Sequence, residues 1–158
     1  MEIKFIFDSQ EKISAYEYGD IIITGNKGCI SSKNLGCGEI MIFPSIQLFF
    51  EHIIPLLHNR HEFIYFFQGI DTPNFNICFQ CKKGTVTVSY YSQIIDVISS
   101  EQFYKDLCNT LTTICMEYLN KMDDTDNNIC KEILSDVRKN SFLSVKKNGK
   151  NQDKTPFY

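Results

Sequence analysis

The chain has 158 residues, of which 43% are apolar and 13% aromatic, and its formal net charge is −3. This length supports one domain with a full hydrophobic core, and the composition excludes a disordered chain. No segment approaches the roughly 18 consecutive apolar residues that span a bilayer. The N-terminus lacks a basic segment followed by a long apolar one. We therefore expect a cytoplasmic protein with no membrane partner.

The charge is unevenly distributed along the chain. Residues 139–158 carry five lysines and one aspartate, a net charge of +4, and we expect them to form a basic mobile tail. Residues 1–138, the expected domain, carry 11 lysines and arginines against 18 aspartates and glutamates, a net charge of −7. An acidic domain lacks the basic face that binds nucleic acid. It suits a basic protein partner, although ordinary solubility charge would give the same balance.

Alternation predicts the first strands. In residues 2–8, Ile3, Phe5 and Phe7 lie on one side and polar residues on the other, as in a half-buried strand. Residues 20–24 and 29–31 flank the turn sequence Gly25-Asn26-Lys27-Gly28, which favours a hairpin. Residues 9–19 show no period, and we expect a loop or an irregular strand there.

The most apolar segment predicts the first helix. A short apolar strand or turn over residues 40–43 leads into Pro44, which suits a first helical turn. Pro55 is expected to kink the helix or to end its regular part near Ile54. The residues at the spacing of one buried helical face are Ile46, Phe49, Phe50, Ile53, Ile54 and Leu57.

The next segments predict a sheet. Residues 62–68 have apolar side chains on both faces, which is typical of a central strand. A hairpin with a two-residue loop at Lys83-Gly84 follows, and residues 91–97 extend a further strand. The register that keeps one face apolar pairs Cys81 with Val86, Phe79 with Val88 and Ile77 with Tyr90.

Two more helices follow. Ser99, with Gln102 three residues later, predicts an N-cap. The buried stripe behind it comprises Phe103, Leu107, Leu111, Ile114 and Tyr118. A third helix is expected over about residues 127–139. These elements predict an α+β fold in which an antiparallel sheet of five or six strands packs against two or three helices.

The sequence contains no recognisable catalytic motif. Cys78 and Cys81 have C-x-x-C spacing, but residues three apart in a strand point to opposite faces. We therefore expect no metal, no cofactor and no catalytic residue, and we expect the seven cysteines to be reduced. The residues leave open a small cysteine-dependent enzyme or a metal-binding regulator, since cooperating Cys and His residues need not be adjacent in sequence.

Two segments are candidates for contacting a protein partner, because exposed tyrosines anchor interfaces and carboxylates pair with basic groups. The first lies near the end of the second helix and includes two acids of that helix, and its aspartates after the helix could also be a solvated helix break. The second precedes the strand at residues 20–24. Their residues are Asp123, Asp124, Asp126, Glu117 and Asp106 in the first, and Tyr16, Glu17, Tyr18 and Asp20 in the second.

The order of the elements also carries a family resemblance. The helix GEIMIFPSIQLFFEHIIPLL is followed by the strand EFIYFFQ, the hairpin NICFQCKKGTVTVSY and a long helix. Over about residues 38–122 this order resembles the immunity proteins of bacterial contact-dependent growth inhibition and related polymorphic toxin systems. The resemblance implies a cytoplasmic, non-enzymatic protein that binds and blocks the toxin domain of a cognate effector. The toxin that an acidic member of these families blocks is commonly a basic nuclease. An adaptor for another protein is the alternative binding role.

Overall fold

The structure is a computed structural model that describes residues 1–7, 13–59, 62–123 and 126–149, with side chains described through residue 140 apart from Asn59 and Pro73. These residues form eight strands and three helices. In chain order they are β1 (Glu2–Phe7), β2 (Tyr18–Thr24), β3 (Cys29–Ser31), β4 (Ile40–Met41), α1 (Ile42–Asn59), β5 (Phe63–Gly69), β6 (Thr72–Lys82), β7 (Thr85–Tyr90), β8 (Gln93–Ser99), α2 (Ser100–Tyr118) and α3 (Asn128–Gly149). Within this part of the chain, no helix is long and apolar enough to cross a membrane.

The strands form two four-stranded antiparallel sheets. In the first sheet, β2 pairs with β1 on one side and with β3 and the short β4 on the other. The second sheet is the meander β5-β6-β7-β8. The predicted α+β class is confirmed, but the prediction of one sheet of five or six strands is wrong. The helix α1 separates the two sets of strands, and no strand pairs across this division in the described residues.

The predicted hairpin is confirmed. The strands β6 and β7 pair Ile77 with Tyr90, Phe79 with Val88 and Cys81 with Val86. Lys83 and Gly84 form the two-residue turn with φ angles of 50° and 74°, the left-handed region that glycine adopts readily. The paired side chains point into the core and are buried. A period of two therefore predicted the register, because a slip by one residue would expose the whole apolar set.

The strand β5 lies at the edge of the second sheet, so the prediction that it is central is wrong. Phe67 on its inner face is buried and contacts Phe49 of α1, with ring centroids 5.1 Å apart. On the outer face, Ile64 and Phe66 are 59% and 61% exposed. The apolar residues on both faces therefore reflect an exposed apolar outer face and not a central position.

The helix α1 buries the predicted apolar stripe. The side chains of Ile46, Phe50 and Ile53 are at most 3% exposed. The helix already begins at Ile42, so the predicted strand over residues 40–43 is reduced to β4. Of the two outcomes expected at Pro55, an end near Ile54 is wrong, because the helix continues through Pro55 to Asn59, whereas a kink stays a prediction. We attribute the continuation to the buried Ile53 and Ile54 before Pro55 and the half-buried Leu57 after it, which hold the last turns in place despite the missing N–H.

The helices α2 and α3 complete the fold. At the start of α2, the Gln102 N–H donates to Ser99 Oγ at 3.2 Å, which is the predicted cap. The predicted stripe of α2 is buried from Phe103 to Ile114. The helix α3 continues past residue 139 to Gly149, so the first part of the predicted tail is helical. Residues 150–158 lie outside the described residues.

A single hydrophobic core joins both sheets and all three helices. The ring of Phe7 in β1 contacts Phe43 of α1 and Tyr118 of α2, with centroids 5.2 and 4.5 Å apart. Between the sheets, the described residues line an apolar cavity of about 20 Å³, little more than the space that one water molecule needs.

A β-bulge in β8 joins the two sheets. The carbonyl of Ile95 accepts the N–H of Lys27, in the turn between β2 and β3, at 2.9 Å. The next residue, Asp96, is 1% exposed, and its carboxylate accepts Asn26 Nδ2 at 3.3 Å. The Met1 ammonium lies 3.6 Å from the same carboxylate. The turn of one sheet is thus held against the edge of the other.

Gly25 gives a test of this junction. A Cβ at Gly25 would overlap the Ile95 carbonyl oxygen and lie 2.5 Å from Asp96 Cβ. A Cβ at Gly28 would lie 3.1 Å from the side-chain amide of Gln93, 3.4 Å from Ile95 Cδ1 and 3.9 Å from the Ile94 carbonyl oxygen. We expect Gly25→Ala to cost about 1–3 kcal/mol through overpacking, or roughly 3–10 °C in Tm. Thermal unfolding followed by circular dichroism measures this. Equal Tm values for Gly25→Ala and the matched control Gly28→Ala would contradict a tight junction.

Candidate partner-binding surface

The loop before β2 lies against the connection between α2 and α3. The Ile13 N–H donates to the Lys121 carbonyl at 3.3 Å, and the Ala15 N–H donates to Asp126 Oδ2 at 3.0 Å. Ile13 and Ala15 are 1% and 7% exposed, so they anchor the loop in the core. These contacts place Tyr16 beside the predicted acidic segment, although 111 positions separate Ala15 from Asp126.

Residues from both predicted segments form one surface, which we call the acidic–tyrosine surface. Tyr16 is 65% exposed, so its ring is available as an anchor. Asp123 is exposed, and its backbone carbonyl accepts the Asp126 N–H at 2.9 Å in the turn that leads into α3. Glu117 is exposed and pairs with Lys121 at 3.3 Å. The members of this surface are Tyr16, Glu117, Asp123 and Asp126, together with the neighbouring Glu17, which is half-buried and whose carboxylate accepts the Ser14 N–H at 3.5 Å.

Tyr18 and Asp20 are engaged elsewhere. The Tyr18 hydroxyl donates to Asp71 Oδ2 at 2.7 Å, and this hydrogen bond raises the pKa of Tyr18. Asp20 is 7% exposed, and its two carboxylate oxygens accept the hydroxyls of Ser31 and Ser32 at 2.7 Å each. Asp20 therefore holds the loop after β3 from inside the protein. Its prediction as a partner-facing residue is corrected by this burial.

Asp106 lies at the other end of α2 from Glu117. Its carboxylate is 3.3 Å from the Met1 ammonium and accepts Gln102 Nε2 at 2.7 Å. It therefore ties the start of β1 to α2 and does not join the acidic–tyrosine surface. Asp124, the remaining predicted residue, lies outside the described residues.

A groove of about 390 Å³ runs between β1 and α2 and reaches Glu117. One wall is residues 2–6 of β1, and the other includes the polar row Asn109, Thr113 and Glu117 of α2. The ion pair between Met1 and Asp106 and the ring contact between Phe7 and Tyr118 join the walls at either end. No sequence pattern predicted this groove.

Backbone groups of β1 line this groove, because β1 is the edge of the first sheet. In β2, the Ile21 carbonyl accepts the Ser32 N–H at 3.2 Å and so points away from β1. Antiparallel strands alternate the direction of their hydrogen bonds, so Lys4 of β1 bonds towards β2. The N–H and C=O groups of Ile3 and Phe5 therefore point away from β2. Alternation predicted which β1 side chains are buried, but not that the strand is an edge.

The cysteines do not converge on one site. Cys78 and Cys81 point to opposite faces of β6, as predicted, and burial raises the pKa of Cys81. Burial also raises the pKa of Cys108, which lowers its thiolate fraction. Cys115 and Cys130 are fully buried, and the hydrogen bond between them raises the pKa of Cys115. Among the described residues, no three His, Cys, Asp or Glu side chains are placed to hold a metal ion.

Comparison with known proteins gives no relative from which a function could be transferred. The chain matches no protein-family model, no curated protein and no solved structure. The function is therefore argued from the surface and the groove described above.

Asp126 accepts the Ala15 N–H, and a mutation can test this structural role apart from the charge of the carboxylate. We expect Asp126→Ala to destabilise the protein by about 1–2 kcal/mol, because the Ala15 N–H loses a charged acceptor, and to lower the Tm by roughly 2–8 °C. The matched control is Asp136→Ala, which removes a carboxylate that pairs with Lys139 on α3 and should cost under about 0.5 kcal/mol. Hydrogen exchange at the Ala15 amide should accelerate only in Asp126→Ala. Unchanged exchange there would contradict the role of Asp126.

Proposed function

We propose that this protein is a toxin-neutralising immunity protein, which binds the toxin domain of a cognate effector and blocks it by direct complex formation. The observation that supports this most is the acidic–tyrosine surface. It combines the exposed ring of Tyr16 with the carboxylates of Glu117 and Asp123. Such a surface offers an aromatic anchor and attracts a basic partner. The net charge of −7 on residues 1–138 acts in the same direction at longer range.

The groove beside this surface gives the proposal a concave part. Glu117 belongs to both, so a partner bound at the acidic–tyrosine surface can extend a segment between β1 and α2. The outward N–H and C=O groups of Ile3 and Phe5 can bond to an extended segment, and Asn109 and Thr113 can bond to its side chains. A binding role therefore uses features that a packed core alone does not require.

Growth protection tests the proposed function directly. The probe is the C-terminal domain of the protein encoded immediately upstream of this chain. A bacterial host produces this domain either alone or together with this chain. We expect the domain alone to stop growth, and co-production of this chain to restore growth and to give a complex that co-elutes on size exclusion. An upstream metabolic enzyme, or a toxic domain that this chain neither binds nor counteracts, would reject the proposal.

Charge reversal tests which surface is used. Asp123→Lys should lower the association rate with that domain about tenfold or more at low salt, since like charges then oppose encounter. The matched control is Glu101→Lys, which makes the same charge change in the first turn of α2, at the end away from Glu117. Asp126 is kept in both variants because it holds Ala15.

The readout is the association rate against ionic strength, with circular dichroism as a folding control. The two rates should converge near 1 M salt, where the screening length is about 3 Å. If Asp123→Lys and Glu101→Lys behave alike at low salt, the acidic–tyrosine surface is not the docking site.

A further inference from the structure

The strand β5 presents an unpaired backbone edge. In the described residues it pairs with β6 alone. Lys82 and Thr85 flank a two-residue turn and form a hydrogen-bonded pair. Lys82 and Gln80 therefore bond towards β7, and the residue between them bonds towards β5. By the same alternation, Ile64 and Phe66 direct their N–H and C=O groups away from β6. Four backbone groups on these two residues therefore point outward.

The side chains along this edge are unusually apolar for an exposed strand. The sequence FIYFFQG contains no charged residue and no proline, the features that normally protect edge strands from pairing. Ile64 and Phe66 are 59% and 61% exposed. A neutral, apolar strand edge is thus exposed on an acidic chain.

The opposite edge of the same sheet is protected. At the bulge of β8, the Ile95 carbonyl accepts the Lys27 N–H at 2.9 Å, so the turn of the first sheet covers this edge. The edge of β1 faces α2 across the groove. The β5 edge therefore differs from the β8 and β1 edges. It combines outward backbone groups with apolar side chains that are about 60% exposed.

We propose that β5 pairs with β5 of a second copy of this chain, antiparallel about a two-fold axis, to form a continuous eight-stranded sheet. The outward groups belong to Ile64 and Phe66, so a hydrogen-bonded register places Ile64 opposite Phe66 of the second copy, with Tyr65 on the axis. This register covers each exposed apolar side chain with another one. It also places Glu62 opposite Gln68 of the second copy, so no like charges face each other.

The composition of β5 favours a second copy over a basic partner at this edge. A basic protein gains no charge pairing from a neutral strand, whereas a second β5 supplies matching N–H and C=O groups and matching apolar side chains. The pairing closes after two copies, because a two-fold contact uses the β5 edge of both copies. This inference does not depend on the proposed function.

Matched lysine substitutions test the pairing. The probe is the full chain alone, measured by sedimentation velocity over a range of concentrations. We expect the wild type to form a dimer, with a mass of twice 18.3 kDa. Phe66→Lys should raise the dimer Kd by at least about tenfold, because each lysine would replace the apolar side chain opposite Ile64 of the second copy, and the two lysines would be diagonal neighbours across the axis. The control is Ile94→Lys, at a residue 42% exposed on the same face but on β8, and it should leave the dimer intact.

Phe66→Pro tests the backbone pairing. It removes the outward N–H of residue 66 and leaves the hydrogen bonds between β5 and β6 in place. It should also weaken the dimer at least about tenfold, with an unchanged circular dichroism spectrum. If Phe66→Pro unfolds the chain, hydrogen exchange in the wild type decides. The exchange rates of the Ile64 and Phe66 amides should fall as protein concentration rises, because the dimer protects these amides. A wild type that stays monomeric, equal effects of Phe66→Lys and Ile94→Lys, or exchange independent of concentration would each overturn the proposal.

Discussion

The bulge of β8 sets the position of everything that carries the proposed function. Ile95 turns its carbonyl to Lys27 and so attaches the first sheet to the second. Asp96 is held inside by Asn26 Nδ2 and by the Val97 N–H at 2.8 Å. A buried carboxylate is tolerated only with such partners. Asn26 therefore adds a side-chain contact between the turn of the first sheet and β8 to the backbone hydrogen bond of Lys27.

The strand that contains this bulge leads directly into α2. The helix begins immediately after β8, with its first turn capped by Ser99, so its course past β1 follows from the end of that strand. The groove and Glu117 both depend on where α2 passes β1. The acidic–tyrosine surface then follows, because the connection after α2 receives the loop at Ala15. One local irregularity in a strand is therefore connected through α2 to the surface proposed to bind a partner.

Short-range features were predictable because their physical causes lie within a few residues. The pairing of Phe79 with Val88 follows from a period of two and a glycine in the turn. The buried face of α1 follows from a helical period, and the cap at Ser99 from one hydroxyl. The edge position of β5 was missed because apolar residues on both faces have two causes, coverage on both sides or an exposed apolar face. Which one holds depends on neighbouring strands that the pattern does not specify.

The site was only partly predictable for the same reason. Tyr16 and Asp123 were predicted on two separate surfaces, and only the tertiary contact between Ala15 and Asp126 unites them. Asp20 has the same charge as Asp123, yet it is buried because hydroxyls of Ser31 and Ser32 meet it after the hairpin returns. Sequence identifies chemical type, whereas exposure is decided by residues that are distant along the chain.

The contact between Ala15 and Asp126 also bears on how the protein is made. It joins positions 111 residues apart, and the ring of Phe7 meets Tyr118 over a similar separation. On a ribosome, the first sheet therefore waits for α2 and α3 before its core can close, whereas the β5–β8 meander consists of neighbours and can form as it emerges. We expect the surface proposed to bind a toxin to be completed last. Any protection would then begin only after α3 has emerged and packed.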